Sequence, residues 1–241
     1  MTFLPLGANY RAMNELYWLA MLLANFGLIL FSYKLFGKNG LFIWIPIAAI
    51  IANIQVIQTV ELFGYAATLG NIVYASSFLV TDILSEKYGK KEANKAVWIG
   101  FFSLITMTGL MNLALLFEPM EDDFSQQTRE SLGLIFGFMP RIVLASLVAY
   151  FISQRHDVWA FHFWGKLFSG RGNLWLRNNL STMVSQLIDS VVFTLIAFYG
   201  VFPTPILIEI LLTTYFLKWL VAAADTPFVY IATKIRPRSQ E

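Results

Sequence analysis

A chain of 241 residues that is 57% hydrophobic and only 13% charged cannot cover itself with a polar surface. Soluble domains carry roughly 45–50% apolar and about 25% charged residues. A formal net charge of +2 excludes a bulk electrostatic pull on nucleic acid, and the absence of cysteine excludes disulfides and thiolate chemistry.

Lipid is therefore the expected outer solvent, and a hydrocarbon core of about 30 Å requires roughly 20 mainly apolar residues as helix. The first such stretch, at about 16–36, follows a segment whose only basic residue is Arg11. No small-residue cleavage pattern ends it, so it reads as a span and not as a cleaved leader. Gly37-Lys38-Asn39-Gly40 precedes a second stretch at 41–62, and Phe63-Gly64-Tyr65 a third at 66–84. A charged run over 85–95 leads to the fourth, 95–117. Glu118 to Glu130 holds five acids and one base, the pattern of a solvated loop, ahead of the fifth at 132–153. Residues 157–168 are too short to span, and their Trp159, Phe163, Trp164 and Phe168 suit a helix lying at a membrane interface. The sixth and seventh stretches, 179–201 and 206–232, are separated by Gly200 through Pro205. The expectation is an all-α polytopic membrane protein with seven spans in one transmembrane domain, 1–241.

Lysine and arginine concentrate in cytoplasmic loops. Thirteen of the 17 fall in the first, third and fifth loops and the C-terminus, two (Arg11 and Arg129) on the opposite side, and Arg141 and Lys218 inside spans. That bias places the N-terminus outside, the C-terminus and loops 85–95 and 154–178 in the cytoplasm, and 118–131 outside. An even number of spans would put basic loops on both sides.

An Asp, Lys or Arg at a helix centre costs roughly 2.5–3.5 kcal/mol on insertion scales, so each needs a partner or a cavity. Arg141 lies well inside the fifth stretch, Asp189 near the middle of the sixth, and Lys218 near the middle of the seventh. Asp225 follows two turns along the face of Lys218. Two cations and two anions can neutralise one another. Thr182 and Gln186 share a stripe with Asp189, Thr214 and Ala222 flank Lys218, and Ala145 and Ala149 continue the face of Arg141 with small side chains. Pro140 and Pro227 free backbone carbonyls that could line a cavity. The second and third stretches add Asn53, Gln55, Gln58, Thr59, Asn71, Tyr74, Ser76 and Ser77. Any one hydroxyl or amide reads as interhelical glue. Four ionisable residues on three successive spans favour an internal site for a small polar solute, because Ser and Thr make glue at lower cost. Asp82 and Glu86, four apart beside Lys87, Lys90 and Lys91, fit either an interfacial salt-bridge network or a cytoplasmic gate.

Enzyme chemistry finds no support. His156 and His162 are the only histidines, with no HExxH pattern, so no metal site is expected. There is no GxxxxGK[ST] phosphate loop, the Gly170-Arg171-Gly172-Asn173 run being too short to imitate one, and no Gly-x-Ser-x-Gly elbow.

The segment Phe78-Leu79-Val80-Thr81-Asp82-Ile83-Leu84-Ser85-Glu86-Lys87-Tyr88-Gly89-Lys90-Lys91-Glu92-Ala93 resembles the signature of the queuosine precursor transporter family, also called the vitamin uptake transporter family. Arg141-Ile142-Val143-Leu144-Ala145-Ser146 is similar to its arginine span, and Ser181-Thr182 with Gln186 and Asp189-Ser190 to its aspartate span. Lys218 followed by Asp225-Thr226-Pro227 is similar to its last span, and Asn53 fits an asparagine preceding the signature. The similarity covers about 50–235.

This resemblance implies import of 7-deazaguanine bases (7-cyano or 7-aminomethyl precursors, or queuine) across a bacterial inner membrane for tRNA modification. It implies no cofactor, contact with membrane lipid, and no direct contact with nucleic acid. It also implies a six-helix core similar to the substrate-binding components of energy-coupling-factor (ECF) vitamin transporters, with the first helix an addition. A binding subunit needing a separate ATPase module and a non-transporting membrane scaffold are the alternatives. A guanine-like ring presents two adjacent N–H donors that a carboxylate accepts, Asp189 first and Asp225 second. Arg141 or Lys218 could donate to the ring carbonyl, Asn71 and Gln186 offer amides, and Tyr74, Phe78 or Phe193 could stack on the base.

Overall fold

The computed structural model describes residues 8–167 and 174–237. Phe168, the Gly170–Asn173 run and Arg238 lie outside them, as do the side chains of His162, Trp164, Thr182, Ala222 and Thr226. Among the described residues the order is α1 (Ala8–Phe36), α2 (Lys38–Gln55), a hairpin of β1 (Thr59–Leu62) and β2 (Tyr65–Thr68), α3 (Asn71–Tyr88), α4 (Lys90–Ala114), α5 (Asp123–Leu167), α6 (Leu174–Phe198) and α7 (Thr204–Lys234). The seven apolar stretches correspond in order to seven helices. Among the described residues five stretches of helix are long and apolar enough to cross a membrane: Met13–Phe36, Lys38–Gln55, Lys90–Ala114, Asp123–Ser153 and Thr204–Val221. Among the described residues of α6, Met183–Phe198 is a shorter apolar stretch. α3 carries Ser76, Ser77, Thr81, Asp82, Ser85 and Glu86, too polar a run to meet the same standard. Phe102, Leu110 and Leu116 are 72%, 62% and 77% exposed, which suits a lipid-facing surface and would be an aggregation hazard in water.

Three expectations are corrected. The second stretch does not run to residue 62: α2 stops at Gln55, and Thr59–Leu62 pairs antiparallel with Tyr65–Thr68, which the third stretch had partly claimed. The two-residue loop Phe63-Gly64 has φ of 54° and 85°, the type I′ pattern that matches strand twist. The hairpin rests on α1, where the Asn14 amide donates to the Glu61 carbonyl (3.1 Å) and the Phe63 N–H to the Glu15 carboxylate (3.2 Å). Secondly, the acidic loop is partly helix. Asp122 caps α5 by accepting the Ser125 N–H at 2.9 Å, and the Ser125 donors hold its carboxyl below the usual carboxylate range. Thirdly, residues 157–167 are no separate interfacial helix but continue α5, with Trp159 and Phe163 stacked at 5.3 Å on its exposed side.

The chain divides into two compact units, Met1–Met139 with Phe216–Glu241, and Pro140–Tyr215. In the first, α1 lays Trp18, Leu22, Phe26, Ile29 and Tyr33 at helical spacing against Leu41 and Ile45 of α2, Ile72, Leu79 and Ile83 of α3, and Leu217 and Val221 of α7. α1 is thus part of this unit's core. Gly70, between β2 and α3, allows a close approach: a Cβ there would stand 2.2 Å from the Ala52 carbonyl oxygen. Pro140 removes the N–H that would bond the Phe136 carbonyl, and Asn112 of α4 donates to that oxygen at 3.0 Å. The carbonyl expected to line a cavity is engaged by a neighbouring helix.

Lys87, expected to offset Asp82 and Glu86, donates to the carbonyls of Ala232 and Ile235, both at 3.1 Å, at the C-terminal end of α7. A lysine at a helix C-terminus meets the negative end of the dipole and adds a donor to the last carbonyls, of which that of Ala232 also accepts the Ile235 N–H at 3.2 Å. The ring of Tyr33 lies 5.0 Å from the same ammonium, so α1, α3 and α7 meet at this point.

Candidate substrate-binding site

In the second unit, α5 and α6 run antiparallel and bury polar side chains between them. Arg141 stands at one end. Its Nε donates to the Ile196 carbonyl at 2.7 Å and its Nη2 to the Tyr199 carbonyl at 2.5 Å, at the C-terminal end of α6. The guanidinium satisfies carbonyls that have no intrahelical donor, and its charge suits the helix dipole. Arg141 therefore anchors α6, a use that the expectation of a substrate-facing cation did not include.

Asp189 is 9% exposed, and the Ser153 hydroxyl of α5 lies 3.5 Å from its Oδ1. One turn away, Nδ1 of His156 is 3.0 Å from the Ser185 hydroxyl, with Ser185 6% exposed. Gln186, on the same side of α6 as Asp189, has an amide oxygen that is buried without a hydrogen-bond partner among the described residues. Leaving such an acceptor unpaired costs about 1–3 kcal/mol, so this is a place where a bound donor would be favoured. Ser153, His156 and Ser185 were missed by sequence reasoning. His156 was weighed only as a metal ligand, and among the described residues no cluster could hold a metal. The signal available was the spacing of Ser153 and His156, three apart, opposite Ser185 and Asp189, four apart.

In the first unit, Lys218 is 5% exposed and its ammonium lies 5.4 Å from the centre of the Tyr74 ring. Tyr74 in turn meets Phe78 edge to face at 5.7 Å. A desolvated ammonium over a ring gains about 2 kcal/mol, so Tyr74 serves Lys218 as well as offering a stacking surface. Asp225 is also 5% exposed, and Asp82 of α3 lies within electrostatic reach of it. Asp82 and Glu86 themselves are exposed. Asn71 bonds to the Thr68 carbonyl (3.1 Å) and hydroxyl (2.9 Å), tying the hairpin to the start of α3. Asn53 donates to the Ala49 carbonyl of its own helix at 2.7 Å. These two amides thus have local structural partners, while Lys218, Tyr74, Phe78 and Asp225 belong to the α3 and α7 part of this unit.

Membrane-length helices that bury aspartate, lysine and amide groups define a multi-pass membrane protein with internal polar sites, as solute transporters have. Residues 68–232 match the family described as "Putative vitamin uptake transporter", and the chain belongs to that family. It is 45% identical over 227 residues to the "Probable queuosine precursor transporter" of Bacillus subtilis (strain 168), covering 94% of this chain and 98% of that protein. It is 25% identical over 169 residues to the "Probable queuosine precursor transporter" of Haemophilus influenzae, covering 70% of this chain and 67% of the relative. Both relatives are named as transporters and not as enzymes. No solved structure matches the chain.

Proposed function

We propose that this chain imports queuosine precursors, 7-deazaguanine bases such as the 7-cyano and 7-aminomethyl compounds or queuine, across a bacterial cytoplasmic membrane. The carrying observation is the 45% identity to a relative bearing that substrate class in its name, over 94% of the chain. The buried polar site by itself supports only a small polar solute. Within this reading Asp189 accepts the paired N–H edge of the base and Gln186 takes a further donor. Asp82 and Glu86 belong to the cytoplasmic gate. The reading also includes seven spans, a six-helix core like that of ECF substrate-binding components, an external N-terminus and a cytoplasmic C-terminus.

The chemistry is consistent with reversible transport. A charge-assisted hydrogen bond is worth roughly 1.5–3 kcal/mol net, so two or three such contacts bind a base without trapping it. The test is uptake of labelled 7-deazaguanines into cells lacking both their synthesis and their own importer. Saturable accumulation that guanine-edge analogues compete for is the expected result. No uptake on expression of the inserted protein would refute the reading, and uptake only when an ATPase module co-purifies would make the chain a binding subunit.

A further inference from the structure

The α1–α2 turn at Gly37 and the α3–α4 turn at Gly89 lie at the same end of the first unit. There the Tyr33 and Tyr88 hydroxyls meet at 3.3 Å, and the Lys38 ammonium reaches the Glu92 carboxylate at 2.7 Å. Lys38 of α2 and Lys95 of α4 approach one ring, their ammonium groups 5.7 Å and 5.5 Å from the centre of Phe42. Lys91 and Lys95 are also within electrostatic reach of Glu92. Three cations thus surround one carboxylate, and Lys38 already holds it, which leaves a surplus of two positive charges. The Lys91 and Lys95 ammonium groups have no hydrogen bond or ion pair among the described residues. Glu86 does not supply the missing anion. Tyr88 faces Lys38, with its ring centre 5.6 Å from the ammonium, and Glu86 lies about 200° round α3 from Tyr88, on the side of Asp82.

Along α4, Lys91, Lys95, Trp98, Phe102 and Ile105 follow at spacings of four, three, four and three, which puts them in one stripe, exposed throughout. From Lys95 to Ile105 is about 15 Å of helix, half of a hydrocarbon core of about 30 Å. Tryptophan favours the headgroup level of a bilayer, and lysine stems lie along apolar surface with the ammonium in the interface. The stripe therefore presents charge, then an interfacial ring, then apolar side chains for the depth of one leaflet. A zwitterionic lipid brings its own cation and leaves the positive surplus unmet, whereas an anionic lipid brings a phosphate without one.

We propose that this face of α4, with Lys38 and Phe42 of α2, is a binding site for an anionic phospholipid. Its phosphate sits on Lys91 and Lys95, and an acyl chain runs along Trp98, Phe102 and Ile105. Because Lys38 and Lys95 share the Phe42 ring, an occupied site ties α2 to α4. The inference depends on the chain lying in a bilayer and not on the solute it carries.

The test is thermal melting of the purified chain in neutral detergent with added phosphatidylglycerol or, with the same acyl chains, phosphatidylcholine. Phosphatidylglycerol is expected to raise Tm saturably, and phosphatidylcholine to change it little. In the double variant Lys91→Gln/Lys95→Gln the phosphatidylglycerol concentration giving half the gain should rise roughly thirtyfold, about fivefold for each lysine. Lys234→Gln/Arg236→Gln removes the same charge at the end of α7 and should leave that concentration little altered. Equal gains from the two lipids, or an equal rise in both double variants, would reduce the effect to bulk lipid or net charge and overturn the site. The full gain from inorganic phosphate alone would overturn the lipid as occupant. If the lysine pair fails to insert, Lys95→Gln alone should show the fivefold rise, and no change in it overturns the proposal equally.

Discussion

Replacing Arg141 by alanine tests whether a charge inside a membrane-length helix serves the fold or the solute. Arg141→Ala removes two donors from the Ile196 and Tyr199 carbonyls. Hydrogen bonds to a charged group are worth roughly 1.5–3 kcal/mol each, and halving the pair for solvent screening of a half-buried guanidinium leaves about 1.5–3 kcal/mol. At about 2–4 °C per kcal/mol for a chain of this size, Tm in detergent should fall by roughly 3–12 °C. Arg141→Lys should recover only part of the loss, since one ammonium on a flexible stem does not reproduce the planar fork that meets two carbonyls. Uptake per folded molecule should survive both changes in large part, because the guanidinium acts on α6 from its end. The decisive comparison is thermal melting against uptake normalised to inserted protein. An unaltered Tm with abolished uptake would refute the anchoring argument and return Arg141 to the substrate.

Asp189→Asn keeps the size of the side chain but turns a donor toward the donors of the base, so uptake at limiting substrate should fall about ten- to hundredfold with insertion preserved; near-normal uptake would remove Asp189 from the site. Tyr74→Phe keeps the ring under the Lys218 ammonium and should leave the melt nearly unchanged, whereas Tyr74→Leu should lower stability by about 2 kcal/mol. Lys218→Ala leaves buried charge uncompensated, at about 3–5 kcal/mol if its role is ion pairing, and Asp225→Asn in the same chain should then restore stability. Transport restored along with stability would make the pair structural, and stability without transport would assign Lys218 to the pathway. Topology is open to single-cysteine labelling because the chain has no cysteine of its own: Ser125→Cys should react from outside and Lys90→Cys should not, and the reverse pattern would invert the orientation.

The helical, membrane-length character of the chain was legible because burial in lipid demands length, and among the described residues five stretches meet that demand. The hairpin was not. Val60 and Leu62 are apolar enough to extend the stretch before them, and Ala66 and Ala67 the one after, so a hydropathy window joins them to the helices. The contrary signal was local: Phe63-Gly64 between two four-residue runs, one led by Thr59-Val60, is a two-residue turn with Gly at a position of positive φ. It was read as a break, which is correct, but between two spans and not within a hairpin. Residues 157–167 failed for the opposite reason. Their aromatic content suits an interface, yet no Gly or Pro separates them from the fifth stretch, and a helix without a stop signal continues.

The candidate site was legible only as a set of expensive residues. A sequence states that Arg141, Asp189 and Lys218 need partners in a membrane, since their cost in lipid depends on the residue alone. It does not state which partner, because carbonyls at a helix end, an aromatic face, a serine hydroxyl and a bound base all answer the same need. The neighbours of these charges include two carbonyls at the end of α6 for Arg141, the Tyr74 ring for Lys218 and the Ser153 hydroxyl for Asp189. These differ in what they leave over. A guanidinium forked onto two carbonyls satisfies the backbone it faces. Beside Asp189, by contrast, the Gln186 amide oxygen is buried without a partner among the described residues, and an acceptor in that state is costly unless something with a donor comes to it. Unmet buried atoms also occur at Gln55, Thr59 and Thr108, so it is the acceptor together with the buried carboxylate that favours a donor-bearing solute here, and that pairing is why Asp189 carries more of the functional reading than Arg141.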